Sequence, residues 1–383
     1  MRMSSRGPAW AGIFLRSLAR RAAGGRRLKP VRPARIVIVH HLLLGDTILL
    51  TPLLAKLRRV YPDARIDMTC PGSMAPLYSG KPYGVEVLAY DLRDRDSVAG
   101  LLSRGEYDLA VVPGDNRFSW LAQAMGARWI RAFRGDRPPY KNWPVDEYVE
   151  YSKTPATLAD MTAALVDGPP PEPFGAGQWP APAYRRFEAP TGRYCVLHVG
   201  ARSPLRLWDS GRWRLLAAFL ARKGLEVVLT AGKGEEGVVR DVDPDGRYRA
   251  FAAALDLAQL WHLLRGARLL VCPDTGIAHL AKIAGVPTVA LFGPGSAVMF
   301  GKGDFWRHAD FAALTIPDFP CRDQRNLFKR RIEWMRHCAR TIDECPHARC
   351  LDALDIEMVK VEVDSMLASA TRSAGAYAER AQH

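Results

Sequence analysis

The chain has 383 residues, 48% of them hydrophobic, enough for two domains with substantial cores, and no apolar run reaches the ~18 residues that a membrane span needs. Its seven cysteines are scattered until late in the chain, which excludes a small disulfide scaffold and favours a reducing cytoplasm. The net charge of +14 is uneven: residues 1–35 hold ten Lys and Arg and no acid, residues 322–340 hold seven against two acids, and the remainder is close to neutral.

Residues 1–34 read as a basic arm. Trp10, Ile13, Phe14, Leu15 and Leu18 alternate with Arg16, Arg20 and Arg21, a pattern that suits either a short amphipathic helix on a lipid headgroup layer or a disordered basic segment. Concentrated positive charge points to an anionic partner. With no zinc-finger spacing and no RRM signature, the expected partner is an anionic membrane surface and not nucleic acid.

Arg35-Ile-Val-Ile-Val-His40 reads as the first strand, and His41-Leu-Leu-Leu-Gly45-Asp46 as the loop at its carboxyl end. Leu50, Leu53, Leu54 and Leu57 then recur at helical spacing. Pro52 must either open that helix after Thr51 or kink one begun at Asp46. Further strand-like runs at 64–69, 85–90, 107–112 and 128–133 alternate with helical stretches, the pattern of a parallel sheet covered on both faces. The expected first domain covers 35–170.

Residues 171–192 are rich in Pro and Gly and read as a linker. A second alternating series, expected over 193–351, begins with Tyr194-Cys-Val-Leu-His-Val199 and continues through 225–231. It reaches the stretch Leu269-Leu-Val-Cys-Pro-Asp274-Thr275-Gly276-Ile-Ala-His279-Leu-Ala-Lys-Ile-Ala-Gly285-Val-Pro287. This is a strand, a tight turn and a helix that Gly285 ends, followed by another apolar run and Gly293-Pro294-Gly295. Asp274 or Thr275 can cap the helix, Gly276 lets a ligand approach bare backbone, and the free N–H groups there suit a phosphate. Residues 352–383 read as a closing helix. In open parallel sheets ligands sit at strand carboxyl ends, so Asp46 in one domain and Asp274 to His279 in the other are the expected site, lining one cleft if those edges meet.

Two of these stretches together resemble the bacterial lipopolysaccharide heptosyltransferases, glycosyltransferase family nine. Ile36-Val-Ile-Val-His40-His-Leu-Leu-Leu-Gly45-Asp46-Thr-Ile-Leu-Leu-Thr51-Pro52 is similar to the family's N-terminal signature. Cys272-Pro-Asp274-Thr275-Gly276-Ile-Ala-His279 with the following Gly-Val-Pro-Thr-Val-Ala-Leu-Phe-Gly-Pro is similar to its donor-site signature. The resemblance implies an α/β GT-B fold, two Rossmann-like domains facing a central cleft. It also implies an inverting transfer of heptose from ADP-heptose without a required metal or other cofactor. The implied acceptor is the lipopolysaccharide core, or another lipid-linked acceptor, at the cytoplasmic face of the inner membrane. By the same resemblance Asp46 is the general base, Thr275 and Gly276 hold the diphosphate, Asp274 and His279 order the donor site, and Arg206 before Trp208 is a diphosphate ligand. Glu235 or Glu236 contacts the donor ribose, the resemblance not saying which. His40, Gly45 and Arg117 are acceptor-side candidates. His40 stands where the family usually has Lys or Arg, and Pro113-Gly114-Asp115-Asn116-Arg117 replaces the more usual Asp-x-Gln-Gly stretch.

Two further patterns are weighed against this reading. Gly232-x-Gly234-x-x-Gly237 matches a dinucleotide fingerprint, but Glu235 and Glu236 stand where pyrophosphate must approach, so it is treated as coincidence. Cys321, Cys338, Cys345 and Cys350 with nearby His347 are candidates for a structural metal, although the absence of a C-x-x-C pair favours free thiols. The alternatives are a relative that uses another nucleotide sugar or acceptor, such as O-antigen or a protein, and a catalytically silent nucleotide-sugar-binding protein.

Overall fold

The computed structural model describes residues 7–23, 28–175 and 177–380, with side chains as far as 369. Arg2, Arg6, Arg26 and Arg27 of the basic arm lie outside the described residues. The chain divides into two compact units. Unit 1 comprises Met1–Glu172, Gln178–Pro182 and Asn326–Trp334, and unit 2 comprises Pro173–Gly177, Ala183–Arg325 and Met335–His383. The division is thus not linear: a nine-residue excursion late in the chain belongs to the first unit.

Unit 1 carries a six-stranded parallel sheet of β1 (Arg35–Ile38), β2 (Arg65–Pro71), β3 (Val85–Tyr90), β4 (Tyr107–Val112), β5 (Ala127–Phe133) and β6 (Glu147–Val149), in the order β3-β2-β1-β4-β5-β6. Ile36, Val37, Ile38, Val39, Val111 and Val112 are fully buried. That is what continuous apolar strands become when helices cover both faces of a parallel sheet. The helices are α1 (Gly7–Ala23), α2 (Leu44–Ile48), α3 (Thr51–Val60), α4 (Arg95–Leu102), α5 (Phe118–Ala124) and α6 (Leu158–Ala163). Pro52 opens α3 and does not kink one long helix, since α2 closes at Ile48 and α3 starts afresh at Thr51.

The amino-terminal segment is helical over Gly7–Ala23, and α1 is not a free arm: part of its apolar stripe is packed inside unit 1, while Leu15 and Leu18 are exposed. Trp10, Ile13, Phe14 and Ser17 recur at helical spacing and face α5. Ile13 is fully buried, Phe14 meets Trp120 edge-on at 4.9 Å, and Ser17 Oγ hydrogen-bonds Gln123 Oε1. Much of the basic charge is also spent internally. Arg16 donates to the carbonyls of Leu102 and Ala124, Arg21 to that of Trp143, and Lys29 bridges Glu147 and Asp167.

Unit 2 repeats the architecture with β7 (Tyr194–His198), β8 (Glu226–Ala231), β9 (Arg249–Ala252), β10 (Leu270–Pro273), β11 (Thr288–Phe292) and β12 (Phe311–Thr315), ordered β12-β11-β10-β7-β8-β9 and parallel throughout. Its helices are α7 (Ser210–Arg222), α8 (Glu236–Val242), α9 (Leu257–Gly266), α10 (Gly276–Ala284), α11 (Ala297–Phe300), α12 (Arg349–Asp352) and α13 (Ile356–Arg380). The closing helix is therefore interrupted after Asp352. Val359 and Val363 of α13 join Trp208, Trp213 and Val289 in one core. In both sheets the strand order reverses once, between β1 and β4 and between β7 and β10. Those reversals are where a doubly wound sheet opens a crevice at its strand carboxyl ends. Among the described residues no helix is long and apolar enough to cross a membrane.

The excursion of unit 1 is a hairpin, β13 (Asn326–Leu327) paired with β14 (Arg330–Arg331). Its tip residues Phe328 and Lys329 have φ of 45° and 63°. Arg330 is 4% exposed and donates to Asn116 Oδ1 at 2.7 Å and to the Arg134 carbonyl at 3.0 Å, with Asp136 at 3.6 Å. Several arginines of the second basic stretch are thus partnered within the chain. Arg322 donates to the carbonyls of Phe292, Gly293 and Ile316, Arg331 pairs with Glu333, and Arg340 forks onto Asp323.

Candidate active site

In unit 1 the carboxyl ends of β1 and β4 frame a cavity of ≈ 390 Å³. Asp46 lines it from the first turn of α2, beside Asp115, Arg117, Phe118 and, from the hairpin tip, Phe328. Asp46 does not cap its helix: the cap position is Leu43, and no side chain bonds there. Burial opposes the ionisation of Asp115, but Lys141 at 2.8 Å, the Arg117 N–H and the Arg117 guanidinium at 3.1 Å outweigh it and hold the carboxyl below its ordinary range.

His40 lies behind the cavity and not in it. Its N–H donates to Thr69 Oγ1, and its carbonyl accepts from the Thr69 and Tyr90 hydroxyls. Nδ1 accepts from Leu42 N at 3.2 Å, which puts the proton of a neutral ring on Nε2. Burial, with His41 adding to it, pushes the ring down to about 3, so His40 supplies no positive charge at neutral pH. Gly45 sits one residue inside α2, its carbonyl accepting from Leu49 N.

In unit 2 the carboxyl ends of β7 and β10 bring Arg206 to Asp274. Arg206 Nη1 donates to the Asp274 carbonyl at 2.7 Å and stands 3.4 Å from Oδ2. Burial raises the Asp274 carboxyl, and Arg206 and Lys282 oppose the rise. Thr275, not Asp274, caps α10, its Oγ1 accepting from Ile277 N, and Gly276 opens the helix. The amino-terminal N–H groups of α10 and the Arg206 guanidinium, both of the kind that suits an anion, lie at the same strand ends. Gly285 ends the helix in the left-handed region at φ 71°. Gly295 approaches so closely that a methyl group there would overlap Asp274 Oδ2. His279 is buried one turn into α10, and desolvation, with Lys282 and Arg206 adding to it, keeps its ring neutral.

The two glutamates separate. Glu235 tucks its carboxylate against Gly200 and accepts from Gly232 N at 2.8 Å, filling the ends of β7 and β8. Glu236 turns back to Gly234 N from the start of α8, and those backbone N–H groups lower its carboxyl. Glu235 therefore occupies the bend of the Gly232–Gly237 stretch. Cys321, Cys338, Cys345 and Cys350 are free thiols. Burial, reinforced by Cys338 and Cys345, raises Cys321, and burial pushes Cys350 up to about 11. Among the described residues no group of three or more His, Cys, Asp or Glu side chains is arranged to hold a metal ion.

A model of glycosyltransferase family 9 (heptosyltransferase) matches residues 96–330, more than half of the chain. The chain belongs to that family. As a family 9 glycosyltransferase it is similar to lipopolysaccharide heptosyltransferase 3 of Escherichia coli, at 25% identity over 74% of this chain and 90% of that protein. It is similar also to lipopolysaccharide heptosyltransferase 1 of Pseudomonas aeruginosa, at 25% identity over 87% and 98%. Two solved structures share its fold. ADP-heptose LPS heptosyltransferase II of E. coli aligns with a TM-score of 0.66 at 19% identity, over 88% of this chain and 98% of that one. E. coli heptosyltransferase WaaC with ADP aligns with 0.66 at 17%, over 87% and 99%. The two doubly wound units are those of the GT-B heptosyltransferases. Trp10, Phe118 and Phe328 also line the Asp46 cavity, although the sequence did not point to them there. They stand far from the signature, Trp10 in the amphipathic arm and Phe328 in the basic patch.

Proposed function

We propose that this enzyme transfers a heptose from ADP-heptose to a lipopolysaccharide core acceptor with inversion at the anomeric carbon. Each unit supplies one half of the reaction. In unit 2, Arg206 and the start of α10 bind the diphosphate and stabilise the ADP that leaves, with Asp274 and His279 ordering that corner and Glu235 as the ribose contact. In unit 1, Asp46 takes the proton of the acceptor hydroxyl as the new C–O bond forms and the bond to phosphate breaks. His40, Gly45 and Arg117 shape or support the acceptor side. No residue is assigned a metal or other cofactor. The observation that carries this reading is the Asp46 carboxylate lining a cavity at the strand-order reversal.

The enzyme is placed at the cytoplasmic face of the inner membrane, where such an acceptor is built. Leu15, Leu18, Leu28 and Val31, 51–88% exposed, are the surface offered to lipid. The deciding measurement is ADP release from ADP-heptose with a delipidated core oligosaccharide, the product analysed by mass and anomeric configuration. A retained configuration, or activity confined to another nucleotide sugar, overturns the assignment.

A further inference from the structure

We propose that Trp10 is the platform on which the acceptor's sugar ring stacks, so that the amino-terminal helix is a wall of the acceptor site. The inference rests on Asp46 serving the acceptor, since Trp10 and Asp46 line the same cavity. The indole is half-buried and held on several sides. Phe118 lies 5.7 Å away between ring centroids, Phe14 5.8 Å away, and the Arg117 guanidinium stands 5.3 Å from the indole centroid. Behind it α1 is fastened by fully buried Ile13, by Ser17 to Gln123, and by Arg16 to two carbonyls. A Trp fixed so firmly, yet facing a cavity, is a preorganised surface and not a loose side chain.

The cavity's chemistry selects a sugar. An apolar ligand would strip water from Asp46 and Asp115 without replacing their hydrogen bonds, a costly exchange. An anion would meet the Asp46 carboxylate, and the nearby cations Arg117 and Lys141 are both already paired with Asp115. A pyranose suits both halves of the wall. Its C–H face lies against the negative face of the indole, and its hydroxyls reach the carboxylates and the guanidinium. The acceptor unit at this subsite is therefore a pyranose ring.

The test uses the full-length protein and its Trp10→Phe and Trp10→Leu variants. A delipidated inner-core oligosaccharide serves as the binding probe in calorimetry, with ADP as a separate probe. Trp10→Leu keeps apolar bulk and loses the aromatic face, so oligosaccharide affinity should fall on the order of tenfold. Trp10→Phe should stay within about threefold of wild type, and ADP affinity should not move in either variant. In turnover the loss should appear in the acceptor KM and not in kcat. Equal oligosaccharide binding by Trp10→Leu and wild type overturns the inference, as does equal loss in both variants or no binding by wild type. Failure of the heptosyl assignment reads differently: ADP-heptose is not consumed although oligosaccharide binding still depends on the aromatic face.

Discussion

Asp46 occupies the third position of a five-residue helix whose cap is Leu43, and an amide oxygen in its place keeps the shape and can still accept a hydrogen bond. Asp46→Asn should melt and bind ADP like wild type while turnover falls at least about a hundredfold, the ordinary worth of a general base. Turnover within a few-fold of wild type would place the base elsewhere. Arg206 tests the other unit. Its guanidinium fork joins the Asp274 carbonyl and faces its carboxylate, and Arg206→Ala removes a charge-assisted contact worth ~1.5–3 kcal/mol. ADP affinity by calorimetry should drop roughly tenfold to a hundredfold, and Arg206→Lys, lacking the planar fork, should recover only part of it. Unchanged ADP affinity in Arg206→Ala would remove this residue from the donor site. Gly295 has no polar group to lose, yet Gly295→Ala should weaken ADP binding as well, because the added methyl displaces Asp274 Oδ2.

At the scale of elements, strands and helices buried on both sides were easiest to read, since periodicity and Gly or Pro stops define them. The runs at 85–90 and 107–112 coincide with β3 and β4. The short edge strands β6 and β9 were not read, because Glu147–Val149 and Arg249–Ala252 are too brief and too exposed to carry a pattern. α1 shows a subtler limit. Its stripe of Trp10, Ile13 and Phe14 was visible, but an amphipathic stripe does not say whether lipid or protein covers it. The pair of basic stretches shows the same limit for charge, because backbone carbonyls that neutralise arginines leave no mark in sequence. The hairpin of β13 and β14 gives the sharpest test. Arg330 is a buried cation held by Asn116, Asp136 and two carbonyls besides its own turn, and Arg330→Ala removes those bonds while Asp136 keeps Lys141 and the N–H groups of Asn116 and Arg137. Losing hydrogen bonds made by a buried charged group costs about 1.5–3 kcal/mol. A chemical-denaturation midpoint should fall accordingly, and a midpoint equal to wild type would mean the hairpin contributes nothing to unit 1.

For the whole molecule, acid stability is set in part by buried histidines. His40 and His198 are pushed down to about 3 and about 4 by burial, and His279 is lowered well below its usual value for the same reason. Between those values and the unfolded value near 6.5, the unfolded chain binds protons that the native state refuses. Their contribution is complete above about pH 6.5 and is lost as pH falls toward 4, by up to ~1.4 kcal/mol per pH unit for each ring. Asp274, raised by burial, works in the opposite direction but is one group against three. Melting temperature should therefore decline steadily from pH 6.5 to 4, and a flat profile would contradict the buried neutral rings. Attachment to lipid is read in another assay: replacing Leu15, Leu18, Leu28 and Val31 by Gln should reduce sedimentation with anionic vesicles, and added salt should reduce it for the intact chain. Sedimentation indifferent to both changes would dismiss these residues as the lipid-facing surface. The hairpin also bears on how such enzymes recombine. Phe328 and Arg330 come late in the sequence, after most of unit 2, yet they belong to the unit that holds Asp46. A chimera that joins the first 182 residues of this chain to the remainder of a relative imports a foreign tip beside the native Asp46. Acceptor preference in such a hybrid should follow both parents, so exchanging gene halves does not exchange specificities cleanly.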